Sequence, residues 1–205
     1  MKIYFGTENK SKAQEVELLF KAQAPAFKLL SIADLPETLR GKYNAEEVGA
    51  TYAQNALIKA QALFRLLDKN SFDYILAEDS GFEVDALGGA PGLHSARYAA
   101  NDDERCKKIL AAIEGNPTAL RRARFIACVA LLKNGNDPVY FFGRKEGTVA
   151  TALYGSDGFG YDPIFIPEGG TKTWGEAGKG IKNTDSHRSR AFSLAAQYIL
   201  SVVSQ

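Results

Sequence analysis

The order of apolar periodicities along the chain constrains its fold most strongly. The first part of the sequence alternates strand patterns with helical repeats. The predicted elements are a strand over 2–5, a helix from 11 or 12 to 21, a strand over 27–30, a helix over 51–67 and a strand over 74–77. Thr51 and Gln54 match a capping box at the start of the second helix.

After residue 80 the pattern changes to consecutive strands. A glycine-rich segment over 81–92 is followed by predicted elements: a helix over about 103–113, a hairpin of strands 124–132 and 138–144, a strand over 146–153 and a helix over 189–203. Strands that first alternate with helices and then follow one another indicate an α/β fold. We expect one domain over 1–205, with a long mixed β-sheet flanked by helices.

Composition excludes several classes of protein. Lys and Arg total 25 against 24 Asp and Glu, so the net charge of +1 is too small to hold a nucleic acid. The group Arg121, Arg122 and Arg124 is predicted to form a solvated face or a subunit contact. Cys106 and Cys128 are too few for a disulfide framework. No apolar run has the length of a membrane span or signal peptide, so we expect a cytoplasmic protein without a membrane partner.

Two short runs suggest a ligand pocket. In Gly158-Phe159-Gly160-Tyr161-Asp162-Pro163, two glycines flank an aromatic ring and Tyr161-Asp162 adds polar anchors. Ser186-His187-Arg188, with Lys182 just before it, supplies further donors near the start of the last helix. A glycine-rich hairpin connection is the alternative interpretation of the first run.

The loop over 6–12 joins the first strand to the first helix. Its backbone N–H groups and the helix N-terminus favour an anion such as phosphate, and Thr7, Asn9 and Lys12 add donors. Neither the Walker pattern nor the dinucleotide fingerprint is present. A capped helix start with a solvated lysine is the alternative.

Carboxylates indicate a hard cation. Glu78-Asp79 is predicted at the end of a strand, where the chain turns on Gly81, and Glu46-Glu47 precedes the second helix. If both pairs face one cleft, they form an oxygen-rich site suited to Mg²⁺. Surface charge and a turn residue are the alternative for each pair alone. With only two histidines and no Cys-x-x-Cys pair, the sequence excludes a His-rich or thiolate zinc site.

These motifs form ordered blocks over nearly the whole chain. The blocks are Thr7, Asn9 and Lys12; 55–60; 79–81 with 87–92 and 95–98; 158–163; and Ser186-His187-Arg188. Together they resemble the inosine triphosphate pyrophosphatase family. The resemblance implies a fold of two lobes with a nucleotide cleft between them, a homodimer, and hydrolysis of ITP, dITP and XTP to the monophosphate and pyrophosphate. Gln54 and Glu78 stand where the family usually has Glu and Asp.

The resemblance also implies roles for individual residues. The phosphates would be held by the first loop, through Thr7, Glu8, Asn9, Lys10, Ser11 and Lys12. Glu46 or Glu47 would bind Mg²⁺ together with Asp79, and Asp79 would also orient and deprotonate the attacking water.

The nucleotide would be held by the later motifs of the same resemblance. Phe159 would stack on the purine, with Gly160, Tyr161 and Asp162 beside it, and Ser80 and Lys182 would support the nucleotide. His187 and Arg188 would address the base edge, where the oxygen at purine position six accepts a hydrogen bond and the adenine amino group does not. The alternatives are a nucleotide sensor without turnover and a related pyrophosphatase for other modified nucleotides.

Overall fold

The strands of the computed structural model, which describes residues 1–115, 117 and 121–203, form a seven-stranded mixed sheet. The strands are β1 Lys2–Phe5, β2 Lys28–Ser31, β3 Tyr74–Val84, β4 Pro91–Gly92, β5 Arg122–Leu132, β6 Val139–Val149 and β7 Phe165–Pro167. The strand order is β2-β1-β3-β5-β6-β7, with β4 paired to β3. β1 is parallel to β2 and β3, whereas β3–β4 and β6–β7 are antiparallel. The predicted mixed α/β sheet is confirmed.

Helices accompany this sheet. They are α1 Lys10–Gln23, α2 Glu37–Arg40, α3 Tyr52–Leu66, α4 Asp102–Ala112, α5 Trp174–Ala177, α6 Lys179–Thr184 and α7 His187–Val203. Local sequence sets the starts of α1 and α3, because the side chains of Asn9 and Thr51 accept hydrogen bonds from the N–H groups of Lys12 and Gln54. Gln54 itself accepts from the N–H of Ala50, so the predicted capping box is only half formed. In the described part of the chain, no helix has the length and apolar character needed to cross a membrane.

Three predicted boundaries are wrong. β3 does not end at Ala77 but continues through Gly81, whose φ is not left-handed, to Val84. Of the predicted strand over 146–153, residues 146–149 are the end of β6, where Gly147 pairs with Pro167, and residues 150–153 lie outside the strand. The last helix begins at His187 and not at Ser189.

Two of the three arginines predicted on a solvated face have buried or paired side chains, whereas Arg122 is exposed. Arg121 is buried and donates hydrogen bonds to the carbonyl groups of Ile113, Val149 and Ala150. Arg124 pairs with Glu83, Asp85 and Glu146. The partners of these two arginines are backbone carbonyls and carboxylates that the spacing of residues in the sequence does not reveal.

The chain divides into two compact units. The first unit comprises Met1–Asp79, Ala127–Gly143 and Arg188–Gln205, and the second Ser80–Ile126 and Arg144–His187. Within the first unit, β5 alternates between two cores: Ala127, Val129 and Leu131 pack in one, and Cys128, Ala130 and Leu132 in the other. The second unit has an aromatic core around Phe82, Phe125, Phe165 and Trp174. The two-lobed arrangement with a nucleotide cleft stays a prediction.

Candidate functional site

Adjacent carboxylates on β3 point to opposite faces of the sheet in the first unit. Tyr74 and Leu76 belong to one core and Ile75 and Ala77 to the other, so the alternation sends Glu78 to the first face and Asp79 to the second. Both side chains are nearly inaccessible, at 0% and 7% exposure. The predicted location at a strand end is therefore wrong: the continuous strand buries the two groups and holds them apart.

Arg188 binds Glu78 on the first face. Its Nε and one terminal nitrogen donate to the two carboxylate oxygens of Glu78 at 2.7 and 3.0 Å, and the other terminal nitrogen donates to Glu15 at 2.5 Å. Burial alone would lower the pKa of Arg188, but Glu78 and Glu15 outweigh it and raise the pKa. A bidentate arginine–carboxylate pair of this kind fixes both distance and orientation.

Lys59 connects two carboxylates on the second face. Its Nζ lies 2.7 Å from Glu47 and 2.8 Å from Asp79, and Asn55 donates to the other oxygen of Asp79 at 3.2 Å. Burial would lower the pKa of Lys59, but Asp79 and Glu47 outweigh it, so the pKa is raised and the ammonium stays charged. Asp79 is thus held by two donors from one face of α3.

Lys12, in the first turn of α1, is the third cation of this region. Its Nζ lies 3.6 Å from Glu78, a looser contact than those of the other two cations. Burial lowers the pKa of Lys12; Glu78 partly offsets this effect, and Arg188 and Lys59 add to it. An anionic group beside Lys12 would relieve this electrostatic cost, so the position suits a phosphate.

We call Lys12, Glu15, Glu47, Lys59, Glu78, Asp79 and Arg188 the charged cluster. It contains three cationic and four anionic side chains, which leave one excess negative charge. Of the other residues in the first loop, Glu8 and Lys10 are exposed, while Thr7 and Ser11 are half-buried. The side chain of Thr7 accepts from the N–H of Asn9, so part of the loop's predicted donor set serves the helix start.

The carboxylates of the cluster fit a divalent metal. Within residues 1–115, 117 and 121–203, no group of three His, Cys, Asp or Glu side chains is gathered as a metal would require. Magnesium, however, needs only one or two protein carboxylates when phosphate oxygens and water complete its shell. Glu47 and Asp79 already share a cation, the Lys59 ammonium, whereas the side chain of Glu46 is exposed. Glu47, and not Glu46, is therefore the neighbour that can share a metal with Asp79.

The second unit holds the predicted aromatic run, which we call the aromatic loop, residues 158–162. Gly158 and Gly160 take left-handed φ angles of 81° and 66°, and Phe159 lies half-buried between them. The Phe159 N–H donates to Asp162 at 2.8 Å. A Cβ at Gly158 would collide with the same carboxylate, so glycine is required there for both space and backbone angle.

Lys182 joins the aromatic loop to α6. Its Nζ lies 2.6 Å from Asp162, 4.1 Å from the centre of the Phe159 ring and 5.5 Å from that of Trp174. Both partners of the ion pair are almost fully buried. The loop therefore presents an aromatic ring backed by a cation, an arrangement that can hold a flat, electron-rich ring.

The structure also shows where three other predicted site residues lie. The Tyr161 hydroxyl donates to the Ser95 carbonyl at 2.9 Å, and its buried ring stacks on Phe82. The His187 ring stacks on Phe125 with ring centres 4.7 Å apart, and it is also buried. Ser80 is half-buried, next to Asp79 on β3. Tyr161 therefore packs in the core of the second unit, whereas the Phe159 ring is only half-buried.

Sequence reasoning missed three members or partners of the charged cluster: Glu15, Asn55 and Lys59. Asn55 and Lys59 lie four residues apart on α3, and Glu15 lies three residues after Lys12 on α1. Polar residues at this spacing share a helix face with their neighbours. That spacing is the signal that could have identified them.

Comparison with known proteins places the chain. The profile of the Ham1 family matches residues 3–198. A dITP/XTP pyrophosphatase of Shouchella clausii is 37% identical over 196 residues, covering 94% of this chain and 93% of the relative. One of Listeria innocua is 39% identical over 206 residues, covering 98% and 96%.

Solved structures agree with this assignment. The Staphylococcus aureus Ham1 protein superposes with a TM-score of 0.82 at 31% identity, covering 98% of this chain and all of that one. A nucleoside-triphosphatase, dITP/XTP pyrophosphatase, from Mycobacterium abscessus gives a TM-score of 0.71 at 34% identity, covering 95% and 98%. Sequence and structure lead to the same conclusion: this chain belongs to the Ham1 family.

Proposed function

We propose that this protein hydrolyses non-standard purine nucleoside triphosphates, of the dITP and XTP type, to the monophosphate and pyrophosphate, and so removes them from the nucleotide pool. Relatives named dITP/XTP pyrophosphatase support this activity, since their sequences match nearly the full length of the chain. The observation that carries the proposal is Asp79, 5% exposed and held by both Asn55 and Lys59. A buried carboxylate fixed by two donors can place a water molecule accurately.

The charged cluster supplies the groups that hydrolysis needs. Water attacks the α-phosphorus, the bond to the bridging oxygen breaks, and pyrophosphate leaves. Asp79 orients the water and accepts its proton, while Lys12 and the N-terminus of α1 hold the phosphate oxygens. Because phosphoryl transfer depends mainly on placement and charge neutralisation, a cluster of fixed cations and carboxylates suits it.

A divalent metal belongs to this proposal. Mg²⁺ held by Asp79 and Glu47 would neutralise phosphate charge as the leaving group departs. The support is the pair of carboxylates that share the Lys59 ammonium. In the charged cluster, one excess negative charge becomes a positive excess once a divalent cation binds, which favours a polyphosphate.

The aromatic loop supplies the base-binding part. Phe159 stacks on the purine, backed by the Lys182 ammonium, and Ser80 and Lys182 support the nucleotide. His187 and Arg188 address the base edge in this proposal, although Arg188 also holds Glu78. Location in the cytoplasm, supported by two buried free thiols, and a homodimer, supported by the family resemblance, complete the proposal.

Pyrophosphate release tests the proposal directly. We expect release from dITP, XTP and ITP, little from GTP or ATP, and none with EDTA. Asp79→Asn should retain the fold and lose about 10²–10⁴-fold in kcat, the usual range for a positioned base. Asp103→Asn, an exposed aspartate on α4, is the matched control and should keep full activity.

Two results would contradict the proposal in different ways. A fully active Asp79→Asn variant would remove Asp79 from the chemistry. Tight dITP binding by calorimetry without pyrophosphate release would make the protein a nucleotide sensor.

A further inference from the structure

The aromatic loop has a contact that the residues of its own motif do not provide. The Gly160 N–H donates to an oxygen of Asp102 at 2.7 Å, and Asp102 is the first residue of α4. On the same helix, the Cys106 thiol donates to the Gly160 carbonyl at 3.3 Å. Both backbone groups of Gly160 are thus bound by side chains one turn apart on α4.

Arg105 fixes the orientation of Asp102. The other Asp102 oxygen accepts from Arg105 at 2.5 Å, and Arg105 Nε donates to the Ala99 carbonyl at 3.2 Å. The Asp102 carboxylate is therefore tied to the backbone before α4 and to the backbone after Phe159. This connection spans 58 residues of sequence between Asp102 and Gly160.

The aromatic loop needs such support because its two glycines leave its backbone conformationally free. Phe159 lies between two glycines in left-handed conformations, and glycine is the residue with the most freedom to leave them. The Asp162 carboxylate fixes the N–H on one side of the Phe159 ring, and Asp102 fixes the N–H on the other side. Two hydrogen bonds, one on each side, thus fix the backbone that carries the ring.

We propose that Asp102 is a positioning residue for substrate specificity: it holds Gly160 so that the Phe159 ring is set for the purine. This inference rests on the proposed function, since it assigns a purpose to the stacking ring. In this scheme Asp102 has no part in the chemical step at the phosphates. Its loss should therefore weaken binding of the base and leave the chemical step intact.

Four proteins test this role: wild type, Asp102→Ala, Asp102→Asn and Asp103→Ala. Asp102→Ala should raise KM for dITP by about three- to tenfold, the value of one hydrogen bond, with kcat within about twofold of wild type. Asp102→Asn keeps an oxygen acceptor and should restore most of the KM. Asp103→Ala also removes an acid from the first turn of α4, so it controls for helix stability.

Amide hydrogen exchange gives a second readout that does not need turnover. The Gly160 amide should exchange at least about threefold faster in Asp102→Ala than in wild type, and no faster in Asp103→Ala. Faster exchange together with the raised KM supports the role. An unchanged Gly160 amide, an unchanged KM, or an equal effect in Asp103→Ala overturns it. No release of pyrophosphate by the wild type would instead overturn the proposed function, and the role with it.

Discussion

The charged cluster and the aromatic loop are built in different ways. Members of the cluster project from β3 and from helices α1, α3 and α7, with Glu47 as the member from a loop. The aromatic loop is irregular backbone with two left-handed glycines, and side chains bind its N–H groups. The cluster is therefore fixed by regular secondary structure, and the loop by a few individual bonds.

This difference matches the tasks that we assign to the two regions. Hydrolysis needs charges held to within fractions of an ångström, which buried strand and helix positions provide. Discrimination among bases needs a surface that evolution can alter without disturbing the sheet, and loops allow such change. The comparison predicts that substitutions in the cluster affect stability and kcat most, and that substitutions in the loop affect KM.

The largest effect on stability is expected at Arg188. Arg188→Met leaves the Glu78 carboxylate buried without its bidentate partner, and such losses cost about 3–5 kcal/mol of the free energy of unfolding. Urea denaturation measures it. Arg65→Met, at an exposed position on α3, should cost less than about 0.5 kcal/mol.

The double variant Arg188→Met with Glu78→Met separates loss of the pair from burial of an unpaired charge. It should recover about half or more of the lost stability, because apolar replacement of both partners is often near neutral. Equal destabilisation in the single and double variants would mean that the ion pair itself stabilises the first unit.

Local chemistry predicted a large part of the fold. The Thr51 cap starts α3 as expected, and the alternation of strand and helix patterns predicted the mixed sheet. The end of β3 was missed because Gly81 usually signals a turn. Gly81 does not adopt a left-handed φ, and β3 instead pairs with β4 at Phe82 and Glu83. The strand therefore continues past Gly81 because it pairs with a segment elsewhere in the chain.

The candidate site was only partly predictable for a related reason. Asp79, Lys12 and the aromatic loop belong to short motifs, whereas Arg188 meets Glu78 and Glu15 across 110 and 173 residues. Sequence spacing carries no signal for contacts of that range. Because the strand was predicted to end at Ala77, the sequence analysis also did not show that Glu78 and Asp79 point in opposite directions.

The next largest effect is expected from a substitution at Gly158 in the aromatic loop. Gly158→Ala should lower the free energy of unfolding by about 1–3 kcal/mol, because the residue has φ of 81° and its new methyl group meets the Asp162 carboxylate. Since Asp162 also holds Phe159 and Lys182, KM for dITP should rise. Urea denaturation and steady-state kinetics measure the two effects.

Gly169 offers a matched control for this substitution. It has the same φ of 81°, and a Cβ there meets nothing within 4 Å. Gly169→Ala should therefore show the backbone strain alone, with KM unchanged. If the two variants lost equal stability and had equal KM, the contact with Asp162 would have no role in the loop.

The smallest predicted effect is a difference in reactivity between the thiols of Cys106 and Cys128. Burial, together with nearby carboxylates, raises the pKa of both Cys106 and Cys128 to about 12. An unfolded thiol ionises near pH 8.5, so at pH 8 the reactive thiolate forms only where the structure opens. Cys106 binds the aromatic loop through Gly160, whereas Cys128 lies in the core strand β5.

In variants that keep a single thiol, the reaction rate of each cysteine can be measured separately. With Cys128→Ala, the remaining Cys106 should react with a disulfide reagent at least about tenfold faster than Cys128 does in Cys106→Ala, because local opening costs less than opening the core. Asp102→Ala, added to Cys128→Ala, should accelerate Cys106 further. Equal rates for the two thiols would mean that the loop and the core strand open together, and the contrast between a fixed cluster and an adjustable loop would fail at this point.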